Sequence, residues 1–195
     1  MPSSQQIFAV VLAAGRSERF GATKLAAEFD GEALVRRAVR TARHTVGDRV
    51  LLVTGHEAVR IIEAAGDVCR FVVVNERYND GMGTSIAAAA RALSNRAGAM
   101  LLMLADQPLI TSQHLDALLG AWNGAPDAIV ATAFAGTLGP PALLPQHCFA
   151  DLAKLHGDDG ARRLLQDARF TVTSVWNDDA ALDIDTPADL DQAAS

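Results

Sequence analysis

The sequence predicts an α/β fold built on a single, doubly wound, mostly parallel sheet, in one domain spanning residues 1–195. Two observations carry this. Short apolar runs recur along the chain and are almost continuously apolar rather than alternating, as in strands covered on both faces. Between them lie stretches whose apolar residues return every three or four positions, the period of a helix with one buried face.

In chain order, the runs are IFAVVLAA (7–14), RVLLVTG (49–55), RFVVVN (70–75), AMLLMLAD (99–106) and DAIVATAF (127–134). The intervening helices are expected over 32–46, 57–65, 84–97 and 111–122. In the first of these, Leu34, Val35, Ala38, Val39, Ala42 and Val46 form the apolar stripe. Thr111 stands where an N-cap belongs, after the Pro108 turn. The sum is βαβαβαβ. The last third is less regular. GTLGPPALLP (136–145) reads as a loop with a short strand, 147–155 and 159–168 as two short helices, and FTVTSVW (170–176) as a late strand. ALDIDTPADLDQAA then reads as a brief strand followed by a helix with Pro187 in its first turn.

Composition narrows the function classes. With 50% hydrophobic and 21% charged residues, the chain can build a packed core and is not of a disordered class. A formal net charge of -6 gives no basic surplus for a phosphate backbone, so no nucleic-acid partner is expected. Any anionic ligand must be held by a local cluster of cations. Cys69 and Cys148 match no zinc or redox spacing and read as small buried hydrophobes. MPSSQQ lacks the cationic and apolar regions of a signal peptide, and no apolar run is long enough for a membrane span. A cytoplasmic protein with no membrane partner is the expectation.

In an open parallel sheet, ligands bind outside the carboxyl ends of the strands, so each strand exit is a candidate site. The first exit is LAAGRSERFGATK (12–24). Its small residues let a backbone approach a ligand closely, its amides can form an anion nest, and Arg16, Arg19 and Lys24 add charge-assisted contacts to phosphate oxygens. The spacing is neither GxxxxGK[ST] nor GxGxxG; a basic surface loop is the plain alternative. The third exit, NERYNDGMGTS (75–85), opens a helix with glycines whose amides can cradle a phosphate or base edge. At the fourth, LLMLADQP (101–108), Asp106 suits a hard cation shared with substrate phosphates, or caps the turn. Near the end, LDIDTP offers Asp183 and Asp185, which would share one face of a strand; meeting Asp106, one of them would complete a metal site. An N-cap role for Asp185 competes with this. No nucleophilic triad is evident: Ser17 sits in no GxSxG elbow, and each of the five histidines reads better as exposed or as hydrogen-bonded in the core.

These motifs together resemble a known family. LAAGRSERFGATK is similar to the LAAGxSxRxGxxK signature of the MobA-like nucleotidyltransferases, which act on the molybdenum cofactor. The order GMGTS, LADQP, LDIDTP, with the lesser matches VTGHEAVRI (53–61) and HGDDGARRLL (156–165), looks like the cytidylyltransferase branch. The resemblance spans nearly the whole chain and implies a Rossmann-like, glycosyltransferase-A-like fold. It implies that CTP binds through Leu12, Ala13, Ala14, Gly15, Arg16, Ser17, Arg19, Lys24, Thr54, Gly81, Met82 and Ser85, with Arg16, Lys24 and Asp106 catalytic. Ala14 stands where the guanylyl branch usually has Gly, which points to CTP rather than GTP. Magnesium would be held by Asp106, with Asp183 or Asp185 as a second ligand. The acceptor would be a phosphate-bearing molecule, molybdopterin or the molybdenum cofactor, and a molybdoenzyme would receive the product. Two departures bear on the acceptor: Gly139-Pro140-Pro141 replaces a Gly-His-Pro, and the helix after GMGTS lacks an arginine common in the branch. The rival activities are cytidylyl transfer to a sugar or polyol phosphate, an NAD(P)H-dependent oxidoreductase of the same family, and a non-catalytic cofactor chaperone.

Overall fold

The computed structural model describes residues 6–16, 20, 23–157 and 160–193. Its core is a seven-stranded sheet formed by β1 (Ile7–Ala13), β4 (Val50–Thr54), β5 (Phe71–Val74), β6 (Ala99–Leu104), β7 (Ala128–Phe134), β8 (Thr137–Pro145) and β9 (Thr171–Trp176). The spatial order is β5-β4-β1-β6-β8-β7-β9. β8 pairs antiparallel with both neighbours and every other pairing is parallel. β2 (Glu28–Phe29) and β3 (Glu32–Ala33) form a separate hairpin. Asp30 and Gly31 take positive φ at its turn, the backbone that a tight Asp-Gly hairpin requires.

Helices cover both faces, because residues along β1 alternate between two apolar cores. On one face Val11, Leu52 and Leu101 pack with residues of α1 (Leu34–Val46), α2 (Ala58–Ala65) and α4 (Ser112–Ala121). On the other, Val10 and Leu102 pack with residues of α3 (Met82–Leu93), α5 (Phe149–Leu152) and α6 (Arg162–Leu165). The doubly wound, mostly parallel sheet expected from the sequence is therefore the observed one. Thr111 caps α4 as expected, its side chain accepting the His114 amide.

Two expectations need correction. Residues 136–145 do not form a loop with a short strand; nine of them make β8, in the middle of the sheet. Prolines misled the reading because they cannot donate to a ladder. Here the β7–β8 register jumps between Ala131↔Ala142 and Thr132↔Gly139, so Pro140 and Pro141 fall in the irregularity, where they are not called on to pair. The Thr132 hydroxyl donates to the Pro141 carbonyl at 2.7 Å and accepts from His114 Nε2 at 2.8 Å.

The second correction concerns LDIDTP, which is not a strand, so the shared-face argument for Asp183 and Asp185 does not hold. One backbone bond, Ile184 N to the Asp106 carbonyl at 2.9 Å, replaces a ladder. The fully buried Ile184 side chain packs with Phe29 and Leu34. Asp189 in α7 (Pro187–Ala193) accepts the amides of Asp185 and Thr186, fixing the turn into the helix. Ile184→Ala is therefore expected to lower stability by about 2–4 kcal/mol, measured by urea unfolding; a change within error would mean that the segment is not anchored by this side chain.

Candidate active site

The chain winds from β1 outward to β4 and β5, then returns to place β6 on the other side of β1. The exits of β1 and β6 thus splay apart at a point where two loops leave in opposite directions, the usual ligand position in such sheets. A cleft lies there. Leu12, Ala13, Ala14 and Gly15 form its floor from β1, with Leu104 and Asp106 beside them from β6. Lys24 closes one side, and Met82 and Ser85 at the start of α3 form another.

A polar network fixes the start of α3. Asn75, buried just after β5, donates through Nδ2 to Thr84 Oγ1 at 2.8 Å and Ser85 Oγ at 2.9 Å, and its Oδ1 accepts the Arg77 amide. Its own amide donates to the Thr54 carbonyl, tying β5 to β4. Gly81 precedes the helix with φ of 97°, a backbone few other residues adopt, and so turns the chain into α3 at the cleft's edge.

The β4–α2 turn, Gly55-His56-Glu57, supports the opposite wall. A Cβ on Gly55 would lie 2.5 Å from Tyr78 Cβ and 3.0 Å from Ala14 Cβ, so only glycine lets Tyr78 pack onto the floor of the cleft. His56 donates its amide to the Ala14 carbonyl, and its ring lies 5.7 Å from that of Tyr78. Thr23 Oγ1 donates to Glu57 Oε2, which holds the residue just before Lys24. Arg16 reaches across to Asn79, Nε to Oδ1 at 2.6 Å.

At the mouth of the cleft, Lys24 Nζ lies 2.7 Å from Asp106 Oδ2 and 3.3 Å from Asp185 Oδ1. The lysine side chain is only 11% exposed, so its charge is poorly screened and is balanced by these carboxylates. Asp183 feels the same surroundings without an equal share of the cation. Crowding by protein, and then the charge of Asp106, push its carboxyl up to about 6 against the pull of a Gln107 hydrogen bond and of Lys24. Asp183 keeps an open side to solvent, which moderates the effect on stability.

The donor set suits a divalent ion in one specific way. Asp106 and Asp185 already converge on one cation, the lysine ammonium, which stands in for a metal between them. Among the described residues no group of three or more His, Cys, Asp or Glu side chains is arranged to hold a metal ion. A hard ion here would thus take its remaining oxygens from substrate phosphates and water, as magnesium commonly does.

The cleft brings together Leu12, Ala13, Ala14, Gly15, Lys24, Met82, Ser85 and Asp106 from the sequence-derived set. Asp185 reaches Lys24, and Arg16 reaches the Tyr78–Asp80 turn. Thr54 lies elsewhere: it is fully buried at the end of β4, paired in register with Ala13, and its Oγ1 has no hydrogen-bond partner among the described residues. Ser17 and Arg19 lie outside the described residues. Sequence reasoning missed Tyr78, Asn75 and the Thr23–Glu57 pair. Only Asn75 had a visible signal, an amide at a strand exit seven residues before the glycine-rich helix start; Tyr78 and Glu57 are placed by tertiary packing.

A family model, the MobA-like NTP transferase domain, matches residues 9–173. The chain belongs to the MobA-like NTP transferase family. As a member of that family it is 34% identical over 199 residues to the purine catabolism protein PucB of Bacillus subtilis, with 96% of each chain covered. Its fold superposes on the crystal structure of Rv0371c from Mycobacterium tuberculosis with a TM-score of 0.84, 31% identity and 98% of each chain covered. A manganese complex of Rv0371C matches with a TM-score of 0.78 at 29% identity, covering 96% of this chain and 97% of that one.

The raised Asp183 carboxyl gives a signed expectation for this MobA-like protein. Between about pH 4 and 6 its folded state binds more protons at Asp183 than the unfolded chain, so this residue's contribution to stability falls as pH rises through that window. In metal-free buffer, Asp183→Asn should melt about 2–4 °C above the parent at pH 7.5, a gap that closes near pH 4. Equal melting at both pH values would show that Asp183 titrates normally.

Proposed function

We propose that this MobA-like protein transfers a cytidylyl group from CTP to a phosphate-bearing acceptor, releasing pyrophosphate, with the molybdenum cofactor or its pterin precursor as acceptor. The observation that carries the reading is Lys24 held between Asp106 and Asp185 at the mouth of a cleft floored by Leu12–Gly15. A cation next to converging carboxylates, beside small residues and a helix start, is what a triphosphate with a divalent ion needs. Ala14, which lines the cleft, stands where the guanylyl branch usually has Gly, and this supports CTP over GTP. The manganese bound by Rv0371C supports a divalent ion, which we assign here as magnesium.

In the mechanism, an acceptor phosphate oxygen attacks the α-phosphorus in line; a P–O bond forms to the acceptor as the bond to pyrophosphate breaks. No strong base is required, since the attacking phosphate is already ionised. Lys24 and Arg16 neutralise the charge that grows on the leaving pyrophosphate, while Gly15 and its neighbours let the chain backbone lie against the phosphates. Asp106, with Asp185 or Asp183, would hold the magnesium, which would supply further neutralisation of the phosphate charge. As the triphosphate enters, the Lys24 ammonium passes from its carboxylate partners to the phosphates. Met82 and Ser85 line the nucleotide side, and the product passes to a molybdoenzyme. No helix among the described residues is long and apolar enough to cross a membrane, in keeping with our assignment of the reaction to the cytoplasm.

Thermal stabilisation by CTP, GTP, ATP, UTP and NADPH, each with and without magnesium, tests the donor. CTP with magnesium should give the largest shift; no shift with any nucleotide would overturn the reading, and a shift by NADPH alone would favour hydride chemistry. Lys24→Ala and Asp106→Ala should each lower turnover by at least about 100-fold, as loss of a charge partner in the transition state does. Near-normal turnover in either variant would remove that residue from its role.

A further inference from the structure

The sheet ends at β5, which pairs on one side alone, with β4. Parity along the strand sorts its backbone groups. The Asn75 amide donates to the Thr54 carbonyl, so Asn75, Val73 and Phe71 turn their N–H and C=O groups toward β4. Those of Val72 and Val74 therefore point away from the sheet. Among the described residues, no strand or turn supplies them a backbone partner on that side. Natural sheets guard such an edge with a charge, a proline, a bulge or a covering segment. β9, at the opposite end of the sheet, has Thr171, Thr173 and Ser174 among its exposed positions. β5 reads FVVV, in unbroken register with β4, and has no guard of its own.

The side chains at this edge are apolar on both faces. Val72 packs on the core beneath α1 and α2, and Val73 on the core beneath α3. Val74 thus faces the α2 side and Phe71 the α3 side, where its ring meets the edge of Phe8. Phe71 is 40% exposed and Val74 51%, large apolar areas to leave in water on an unpaired strand. Val59 and Ile62, one turn apart on α2, are exposed as well.

We propose that β5 is where a second copy of this chain docks, antiparallel about a two-fold axis at Val73, so that one sheet runs through both copies. Parity restricts the register, because an outward-facing residue must meet another outward-facing residue. With the axis at Val73, Val72 of each copy lies opposite Val74 of the other and the two exchange their N–H and C=O groups. The same register sets Arg70 of each copy opposite Glu76 of the other. Glu76 is exposed, and the exposed Arg70 guanidinium is held loosely, 3.7 Å from Asp48. An axis at Val72 would instead set Arg70 against Val74 and Glu76 against Val68. This self-complementarity of charge selects a second copy over an unrelated strand, since a two-fold axis satisfies both ends at once. The cleft between β1 and β6 stays open, because β4 stands between β5 and β1. The pairing is independent of the reaction the cleft performs.

Analytical ultracentrifugation of the full-length protein over a range of concentrations reads the pairing. The parent should reach twice the mass of one chain at tens of micromolar. Val74→Pro removes an outward N–H and spares the ladder to β4, so it should weaken pairing at least about 100-fold with an unchanged circular dichroism spectrum. Glu76→Arg sets like charges opposite each other at both ends and should weaken pairing about tenfold. Adding Arg70→Glu to it restores opposite charges and should return the affinity to within about threefold of the parent. Val73→Cys in a Cys69→Ser background should form a disulfide between copies under mild oxidation, since residues facing each other on the axis are close enough to bridge. A parent that stays monomeric at these concentrations overturns the proposal. So does a dimer that Val74→Pro leaves intact, which would place the contact elsewhere, or a charge exchange that fails to restore pairing.

Discussion

The ammonium of Lys24 is the point on which the two halves of the molecule close. It pairs with Asp106, 82 residues away, and with Asp185, 161 residues away. Neither carboxylate would tolerate the other at this range without a cation between them. Lys24 itself is nearly buried, so it would be costly there without both. The exit of β1, the exit of β6 and the final loop are therefore mutually dependent. Each supplies a charge that is unfavourable alone and balanced only when all three arrive. In the proposed reaction such a site would be poised for exchange, because a divalent ion and a triphosphate would replace the same charges in a new pairing.

Around that centre, the supporting contacts are steric and neutral. Gly55 exists to let Tyr78 and Ala14 meet; a methyl group there would overlap the Tyr78 Cβ. Thr23 and Glu57 anchor the end of the loop from the α2 side. Asn75 ties β5, α3 and the Arg77 turn into one unit. None of these residues need touch a nucleotide to matter. They set the distance between a backbone-lined floor and a helix start, and a misplacement there would be felt in how well the phosphates of the proposed triphosphate are positioned.

Local pattern carried the architecture and the first loop. Continuous apolar runs such as AMLLMLAD can hardly be anything but buried strands, and LAAGRSERFGATK, read as a candidate anion site, supplies Leu12–Gly15 and Lys24 to the cleft. The pattern failed where tertiary structure overrides local propensity. Two consecutive prolines argue against a central strand, yet β8 admits them because the register breaks beside them. In LDIDTP, alternation suggested a strand, but the segment docks instead through the Ile184 backbone bond, the buried isoleucine and the Asp185–Lys24 pair. Tyr78 carried no signal because its place depends on a missing side chain at Gly55, 23 positions away in the chain.

The reversal of β8 also sets what reaches the sheet edge between the exits of β6 and β7. A fully parallel sheet would send a loop and a helix up from every strand at this edge and crowd it. Because β8 runs the other way, it enters this edge from the β7–β8 turn, and the segment after β9 crosses the same edge to the exit of β6, held by Asn177 N to the Ala133 carbonyl and Ile184 N to the Asp106 carbonyl. Gly136 takes positive φ in this turn, which keeps it tight. The reversed strand, whose prolines suggested a loop, is thus an interior member of the sheet on which this edge is built.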